Sequence, residues 1–358
     1  MHLVLLGGGH VHALALLAWI ARPLQGVRLT LVNRDRFAPY SGMLPGLVAG
    51  HYRFDDIHID LEKLAKRAGA QFLADEIIAL DATNHYVETR SSRLSFDIAS
   101  IDLGSVADTR MIAGNCANDL SPKPLAPFLA NLTERDARTG LTPTIIGGGP
   151  AGVEMALSLA RRLNGKAADI RLVTDGLDIL LNLPKRARAL ARQSLEGHGV
   201  RLLTQAPVLA RSPDGILLAD GRHILASDVV WVNGAAPALD LSTSGLSLDE
   251  RGFVRVMPTM QTIGHECIFA SGDMASFDPP LPKAGVQAVR QGPVLAENIR
   301  SFVLGKALSA HHPSRDMLIL LSTADGRAIG TRNGITLAGR FVWQLKDRID
   351  RGFMARFA

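Results

Sequence analysis

Near its start the chain reads Leu3-Val4-Leu5-Leu6-Gly7-Gly8-Gly9, and 140 residues later it reads Thr144-Ile145-Ile146-Gly147-Gly148-Gly149. Each copy opens an Ala/Leu-rich helix and is followed by a second β-branched run, Val27 to Asp35 in the first and Asp169 to Asp175 in the second. Apolar strand, glycine turn, helix and second strand make a βαβ unit. A period this long indicates duplicated domains, since solenoid repeats are much shorter. A length of 358 residues leaves room for two or three domains of ordinary size.

The remaining composition narrows the class. Lys+Arg exceed Asp+Glu by 39 to 34, a net +5 not gathered into basic runs, so nucleic acid is not an expected partner. Residues are 47% hydrophobic, yet no run of eighteen apolar residues could span a bilayer, which points to a soluble or peripheral protein. The apolar stretch Leu14 to Ala21 lacks the basic flank of a signal peptide, and the chain reads as cytoplasmic. Cys116 and Cys267 are the only cysteines, far apart and without a CxxC, and read as packing residues. His51, His265, His311 and His312 lack metal-ligand spacing and read as surface or loop residues, so no metal is expected.

Further elements follow in order. Ser95 to Leu103 reads as a strand running into Asp102-Leu103-Gly104-Ser105, and the Pro-rich Ser121 to Pro127 reads as a crossover between domains. Asp228 to Gly234 and Ile268 to Ala270 read as strands, and Lys283 to Phe302 as a long helix. Asp325-Gly326 and Asn333-Gly334 then separate the short strands 318–321, 328–331 and 335–337, the pattern of an antiparallel meander. A helix from Phe341 to about Phe357 closes the chain, with Phe341, Leu345, Ile349, Phe353 and Phe357 every four residues beside Lys346, Arg348, Arg351 and Arg356. That stripe predicts packing on the meander or a second subunit, or contact with an anionic membrane surface.

Gly147-Gly148-Gly149-Pro150-Ala151-Gly152 satisfies GxGxxG between strand and helix, where glycines permit the tight turn, the approach of a pyrophosphate and close helix packing. Asp175, 23 residues past Gly152, is the acid expected to hold an adenosine ribose and favours NAD, with Thr174 the alternative contact. In the first copy His12 stands where the third glycine belongs, and Asn33 ends the second strand with Asp35 as the nearest carboxylate. His10 and His12 read as a helix cap and a packed side chain, or as an imidazole beside phosphates or flavin. The turn Gly272-Asp273 offers a carboxylate to a polyol. The helix opening at Pro282-Lys283-Ala284-Gly285-Val286 offers unpaired N–H groups to negative charge on a ring system.

With GGGPAGVE, Phe269-Ala270-Ser271-Gly272-Asp273 and Pro282 to Gly292, the order of motifs over roughly residues 1 to 305 resembles the pyridine nucleotide–disulfide oxidoreductase superfamily. Pro39 to Gly46, His58 to Leu61 and Trp343 to Asp350 look like the flavoprotein region found alone or fused ahead of selenophosphate synthetase. Type II NADH dehydrogenases and sulfide:quinone reductases are more distant relatives. The resemblance implies FAD held by Gly7, Gly8, Gly9, His10, Asn33 or Asp35, Tyr40, Ser41, Gly42, Gly104, Gly272 and Asp273, with Ala284, Gly285 and Val286 at the ring. It implies NAD(P)H, the electron donor, along Gly147, Gly149, Gly152, Glu154 and Asp175, and leaves Lys123 and Lys283 as basic residues for catalysis near the flavin. The chain departs from the pattern in having no cysteine pair, and in placing Val286, with Gln287 beside it, where type II NADH dehydrogenases carry a glutamine near the quinone.

The expected fold is α/β: two Rossmann-like dinucleotide-binding domains of glutathione-reductase type plus a small C-terminal α+β domain. The FAD domain would take 1–120 and 257–305, the NAD(P) domain 121–256, and the meander with its helix 306–358. The expected activity is FAD-dependent oxidation of NAD(P)H with electrons passed to a small-molecule acceptor, a quinone among the candidates. A reductase serving selenium metabolism and a non-catalytic redox sensor are the alternatives. Membrane contact on the inner face, or a homodimer, would run through the C-terminal helix.

Overall fold

Five apolar or half-polar residues with no turn former make His2–Leu6 a strand buried along its whole length. Such burial requires cover on both faces, which a parallel sheet provides. The strand lies inside six, in the order Gln261–Thr262, His265–Ala270, Ile98–Ile101, His2–Leu6, Arg28–Asn33, Gln71–Ala74. All pairings are parallel except the outermost hairpin of Gln261–Thr262 with His265–Ala270. Residues beyond 260 thus return to a sheet begun at residue 2. The computed structural model describes residues 1–358 apart from 115–118, 124, 136–137, 165–168 and 314–316, so Cys116 and Pro124 lie outside the described residues.

The second sheet repeats the plan: Arg201–Leu203, Arg171–Val173, Pro143–Ile146 and Asp228–Trp231, all parallel. In both units the first strand is central, flanked by the second on one side and the fourth on the other. Each fourth strand follows a three-stranded antiparallel ribbon, 77–95 in one unit and 208–225 in the other. The duplication signalled by the glycine loops therefore extends to the whole α/β topology.

The helix expected from Lys283 runs Gly285–Val303 and packs against His10–Ala21, the helix of the first glycine loop. Gly292 makes the crossing close, since a Cβ there would stand 2.6 Å from the Leu14 Cβ, and Trp19 Nε1 donates to Ala296 O at 3.2 Å. The helix His10–Ala21 has little amphipathic character to declare because neighbours cover most of its sides, as the buried run Val11 to Leu16 shows.

The C-terminal strands are Ile319–Ser322, Ala328–Arg332 and Ile335–Gly339, an antiparallel meander. Asn333 and Gly334 both take positive φ, 49° and 79°, as a tight hairpin turn requires. The last helix, Arg340–Met354, packs on that meander with Val342, Lys346, Asp350 and Phe353 inward. The expected stripe divides: Phe353 and Phe357 are buried, while Phe341, Leu345 and Ile349 are 57%, 46% and 44% exposed. A four-residue step drifts around a 3.6-residue helix, so one stripe cannot stay on one face over the helix's length. Lys346, counted among the surface cations, is in fact buried.

Candidate active site

At the first loop Gly7 has φ +96°, and a Cβ on it would stand 2.5 Å from Asp102 O. Gly7 N donates to Val32 O at 2.9 Å and Gly8 N to Asn33 Oδ1 at 2.8 Å. Of the pair left open, Asn33 is the residue at the loop; Asp35 is exposed and paired with Arg34 at 2.9 Å. His12, in the third-glycine position, is fully buried: Nδ1 lies 2.7 Å from Gly7 O and Nε2 2.8 Å from Ser100 Oγ. Donating from Nδ1 and accepting at Nε2 satisfies a neutral ring, and burial holds its pKa down at about 4.

Asp102 was not singled out from the sequence as a site residue, yet it sits beneath this loop. Its Oδ2 accepts from Val11 N at 2.9 Å and His12 N at 3.1 Å, capping the helix from below. Glycine is required around it, because a Cβ on Gly9 or Gly272 would come within 2.2 or 2.3 Å of its carboxylate oxygens. Burial, with Asp273 adding to it, pushes the Asp102 carboxyl up to about 7 against the pull of the two N–H groups. A single aspartate at the end of a strand carries no signal in sequence; only the returning strand Ile98–Ile101 brings it here.

Four other segments converge on the same edge. Asp273 Oδ2 accepts from Ser105 Oγ at 2.7 Å and lies 3.6 Å from Lys123 Nζ, while Gly272 N donates to Gln291 Oε1 at 2.7 Å. His10 meets Tyr40 edge-on at 5.4 Å, and burial reinforced by the Lys123 charge pushes it down to about 4. A Cβ on Gly285 would find only Ser41 Oγ, at 3.4 Å, which brings the 40–42 loop against the long helix preceded by Ala284; Val286 in its first turn is partly exposed. Gly104 turns the chain with φ +74° into open space. Lys283 Nζ donates to Ala275 O at 2.6 Å, sits 4.0 Å above the Phe253 ring and feels the Asp273 charge. Burial pulls its pKa down to about 8, and its ammonium is engaged in holding the 275 strand.

The second loop is built alike. Gly147 N donates to Val173 O at 2.9 Å, and Gly147 takes φ +130° with Val232 O 2.8 Å from where a Cβ would be. A Cβ on Gly152 would stand 1.8 Å from Gly147 O, while one on Gly149 would meet nothing within 4 Å. That open side is where a ligand backbone can approach. Asp175 is exposed, and Thr174 is the residue under Gly148. Glu154 differs from its expected place on the coenzyme side, for its Oε1 accepts from Ser322 N of the meander at 2.7 Å.

A joint therefore forms among the 40–57 segment, the second unit and the last helix. Lys346 Nζ donates to Gly42 O and to Asp350 Oδ2, both at 2.7 Å, and Tyr40 stacks on Phe353 at 4.4 Å while its hydroxyl bonds Asp350. Tyr52 OH donates to Asp347 Oδ1 at 2.9 Å. His51, read as a surface residue, lies 2.8 Å through Nε2 from Ala324 O of the meander, and His311 is buried beside Phe277. Cys267 lies 3.7 Å from His85 Nε2, and burial raises its thiol pKa.

Burial pushes the Glu154 carboxyl up to about 7 against the attraction of Lys346. The folded state thus keeps a proton that the unfolded chain has released, so this group's contribution to stability falls as pH rises from about 4.5 to about 7. Asp102 acts in the same sense, His10 and His12 in the opposite one. Glu154→Gln, which keeps the acceptor for Ser322, is expected to gain about 3 kcal/mol on the wild type between pH 5 and 8. Urea unfolding at both pH values measures this, and an unchanged difference would place the carboxyl in solvent.

Two strand–glycine–helix units, each on its own largely parallel sheet, define a protein built to hold two dinucleotides. The buried Nε2 of His10 and Oε1 of Gln287 have no partner among the described residues, and with the glycine cradles they fit a large polar cofactor in the first unit. The family model of the pyridine nucleotide-disulphide oxidoreductases matches residues 1–292. The chain belongs to that family, and with it to the FAD-dependent oxidoreductases that draw electrons from NAD(P)H. It is 24% identical over 355 residues to the type II NADH:quinone oxidoreductase of Staphylococcus aureus, covering 90% of this chain and 87% of that one. Among solved structures, NDH2 from Plasmodium falciparum in complex with NADH superposes with a TM-score of 0.82 at 14% identity, covering 99% and 97%. The sulfide:quinone oxidoreductase of Aquifex aeolicus gives 0.79 at 18%, covering 99% and 91%.

Proposed function

We propose that the electrons pass from NAD(P)H through FAD to a quinone met at a membrane surface. The observation that carries this reading is the last helix, which ties its inner face to the 40–42 loop through Lys346 and leaves Phe341, Leu345 and Ile349 outside. The relative named a type II NADH:quinone oxidoreductase supports the acceptor class. Bound FAD supplies the electron chemistry that no side chain offers. The Gly7–Gly9 loop and the helix after it receive the pyrophosphate, Asn33 the adenosine ribose and Asp273 the polyol chain. The helix opening at Gly285 aims its free N–H groups at the ring, and Lys123 contributes charge beside Asp273. Gly147, Gly149 and Gly152 cradle the nicotinamide coenzyme.

Anaerobic mixing with NADH or NADPH should bleach the flavin, and a soluble quinone analogue should restore its colour over many turnovers. Reduction without reoxidation by any quinone would favour the redox-sensor alternative. The membrane part has its own test. Each basic residue near an anionic surface contributes about 1 kcal/mol, screened by salt. The full chain is expected to float with anionic liposomes at low salt and to be released at high salt, and Phe341→Ser with Leu345→Ser should abolish flotation without loss of FAD. Equal flotation of wild type and variant would leave the exposed stripe for contact between subunits.

A further inference from the structure

The two glycine loops share one hydrogen-bond register, and it identifies which residue reads the coenzyme ribose. Gly7 N donates to Val32 O and Gly147 N to Val173 O, both at 2.9 Å, so Val32 and Val173 are equivalent and the next residues, Asn33 and Thr174, correspond. Both stand at the second glycine of their loop. Gly8 N donates to Asn33 Oδ1 at 2.8 Å, and a Cβ on Gly148 would lie 2.5 Å from Thr174 Oγ1. One position on, Arg34 and Asp175 correspond, and both are exposed. The acid expected to serve the ribose therefore stands one residue past that position.

The difference has a chemical consequence. A carboxylate under the loop accepts hydrogen bonds from ribose hydroxyls and repels a 2′-phosphate, which is how a dinucleotide fold selects NAD. Thr174 is buried, carries no charge, and its Oγ1 already accepts from Gly176 N at 3.2 Å. It leaves a 2′-phosphate unopposed from below. Asp175 is exposed, and its Oδ1 accepts from the Thr174 hydroxyl at 3.4 Å, so its charge stands beside Thr174, where solvent and salt screen it, and not beneath the loop.

We infer that Thr174, not Asp175, is the specificity-determining residue, and that the site accepts NADH and NADPH with less than about tenfold between their affinities. This inference rests on the assignment of the second loop to the nicotinamide coenzyme. The test is equilibrium binding of NAD+ and NADP+, which need no electron transfer, to the FAD-loaded full chain and three variants. Wild type should bind the two within tenfold of each other. Thr174→Glu should favour NAD+ by more than tenfold, and Asp175→Asn should leave the ratio within tenfold. Thr174→Val, nearly isosteric in case the glutamate does not fold, should weaken both coenzymes by threefold or more at an unchanged ratio. A wild-type preference beyond tenfold, or a preference removed by Asp175→Asn, overturns the inference. Binding of neither nucleotide by FAD-loaded wild type would instead overturn the coenzyme assignment itself, and the inference with it.

Discussion

Gly152→Ala is expected to abolish reduction of the flavin by NADH and NADPH while FAD stays bound. The added methyl would stand 1.8 Å from Gly147 O and 2.9 Å from Gly147 C, so it meets backbone, which cannot rotate away. The helix Pro150–Arg162 must then move off the strand Pro143–Ile146, at an overpacking cost of about 1–3 kcal/mol. Moving it also opens the loop to which the proposed function assigns the coenzyme, so loss of binding should far exceed loss of stability. Gly149→Ala is the informative companion. It meets no protein atom within 4 Å, so it should leave thermal unfolding unchanged and still weaken the coenzyme, by filling the space a ligand needs. Anaerobic flavin bleaching and flavin content after gel filtration read the two effects separately. Unimpaired bleaching in Gly152→Ala would remove the second loop from the coenzyme site.

Lys346→Met is expected to be the most destabilising single change in the C-terminal region. Lys346 and Asp350 are 8% and 6% exposed at their side chains, and Lys346 Nζ also serves Gly42 O. Breaking a buried pair by removing one partner costs about 3–5 kcal/mol, because the remaining charge is stranded. Asp350 keeps the Tyr40 hydroxyl as a partner, which places the expectation toward the lower end. Lys346→Met with Asp350→Leu should recover much of the loss, since neither charge then remains buried. Urea unfolding measures the cost, and the rate of FAD release measures the second effect, a loosened 40–42 loop. A cost under about 1 kcal/mol would show the pair to be solvated, as exposed ion pairs are.

The first glycine loop illustrates how local patterns mislead. His12 breaks GxGxxG, yet the fold is kept because its imidazole bonds the carbonyl, Gly7 O, whose counterpart Gly147 O a Cβ on Gly152 would strike. The defect in the motif is a replacement of close packing by a hydrogen bond. Lys283 shows what a motif leaves open: it stands just ahead of the long helix, and only the fold gives its ammonium Ala275 O as a partner.

By itself the amino-acid sequence determined the elements whose signal is local: two glycine turns between apolar runs, the Asn333-Gly334 hairpin, the long helix after residue 283, the absence of a cysteine pair. Turn chemistry and hydrophobic periodicity act over a few residues, so a few residues disclose them. Only the tertiary structure decided what depends on distant segments meeting. Asp102 reaches the first loop because its strand lies beside His2–Leu6, and Glu154 faces the meander because Ser322 comes back to it. Lys346 changes from a surface cation to a buried one because Gly42 and Asp350 supply its oxygen partners. Thr174 comes to stand under Gly148 through one strand register, which spacing from Gly152 leaves uncertain by a residue. Burial and charge environment are sums over the whole fold, and no window of sequence contains them.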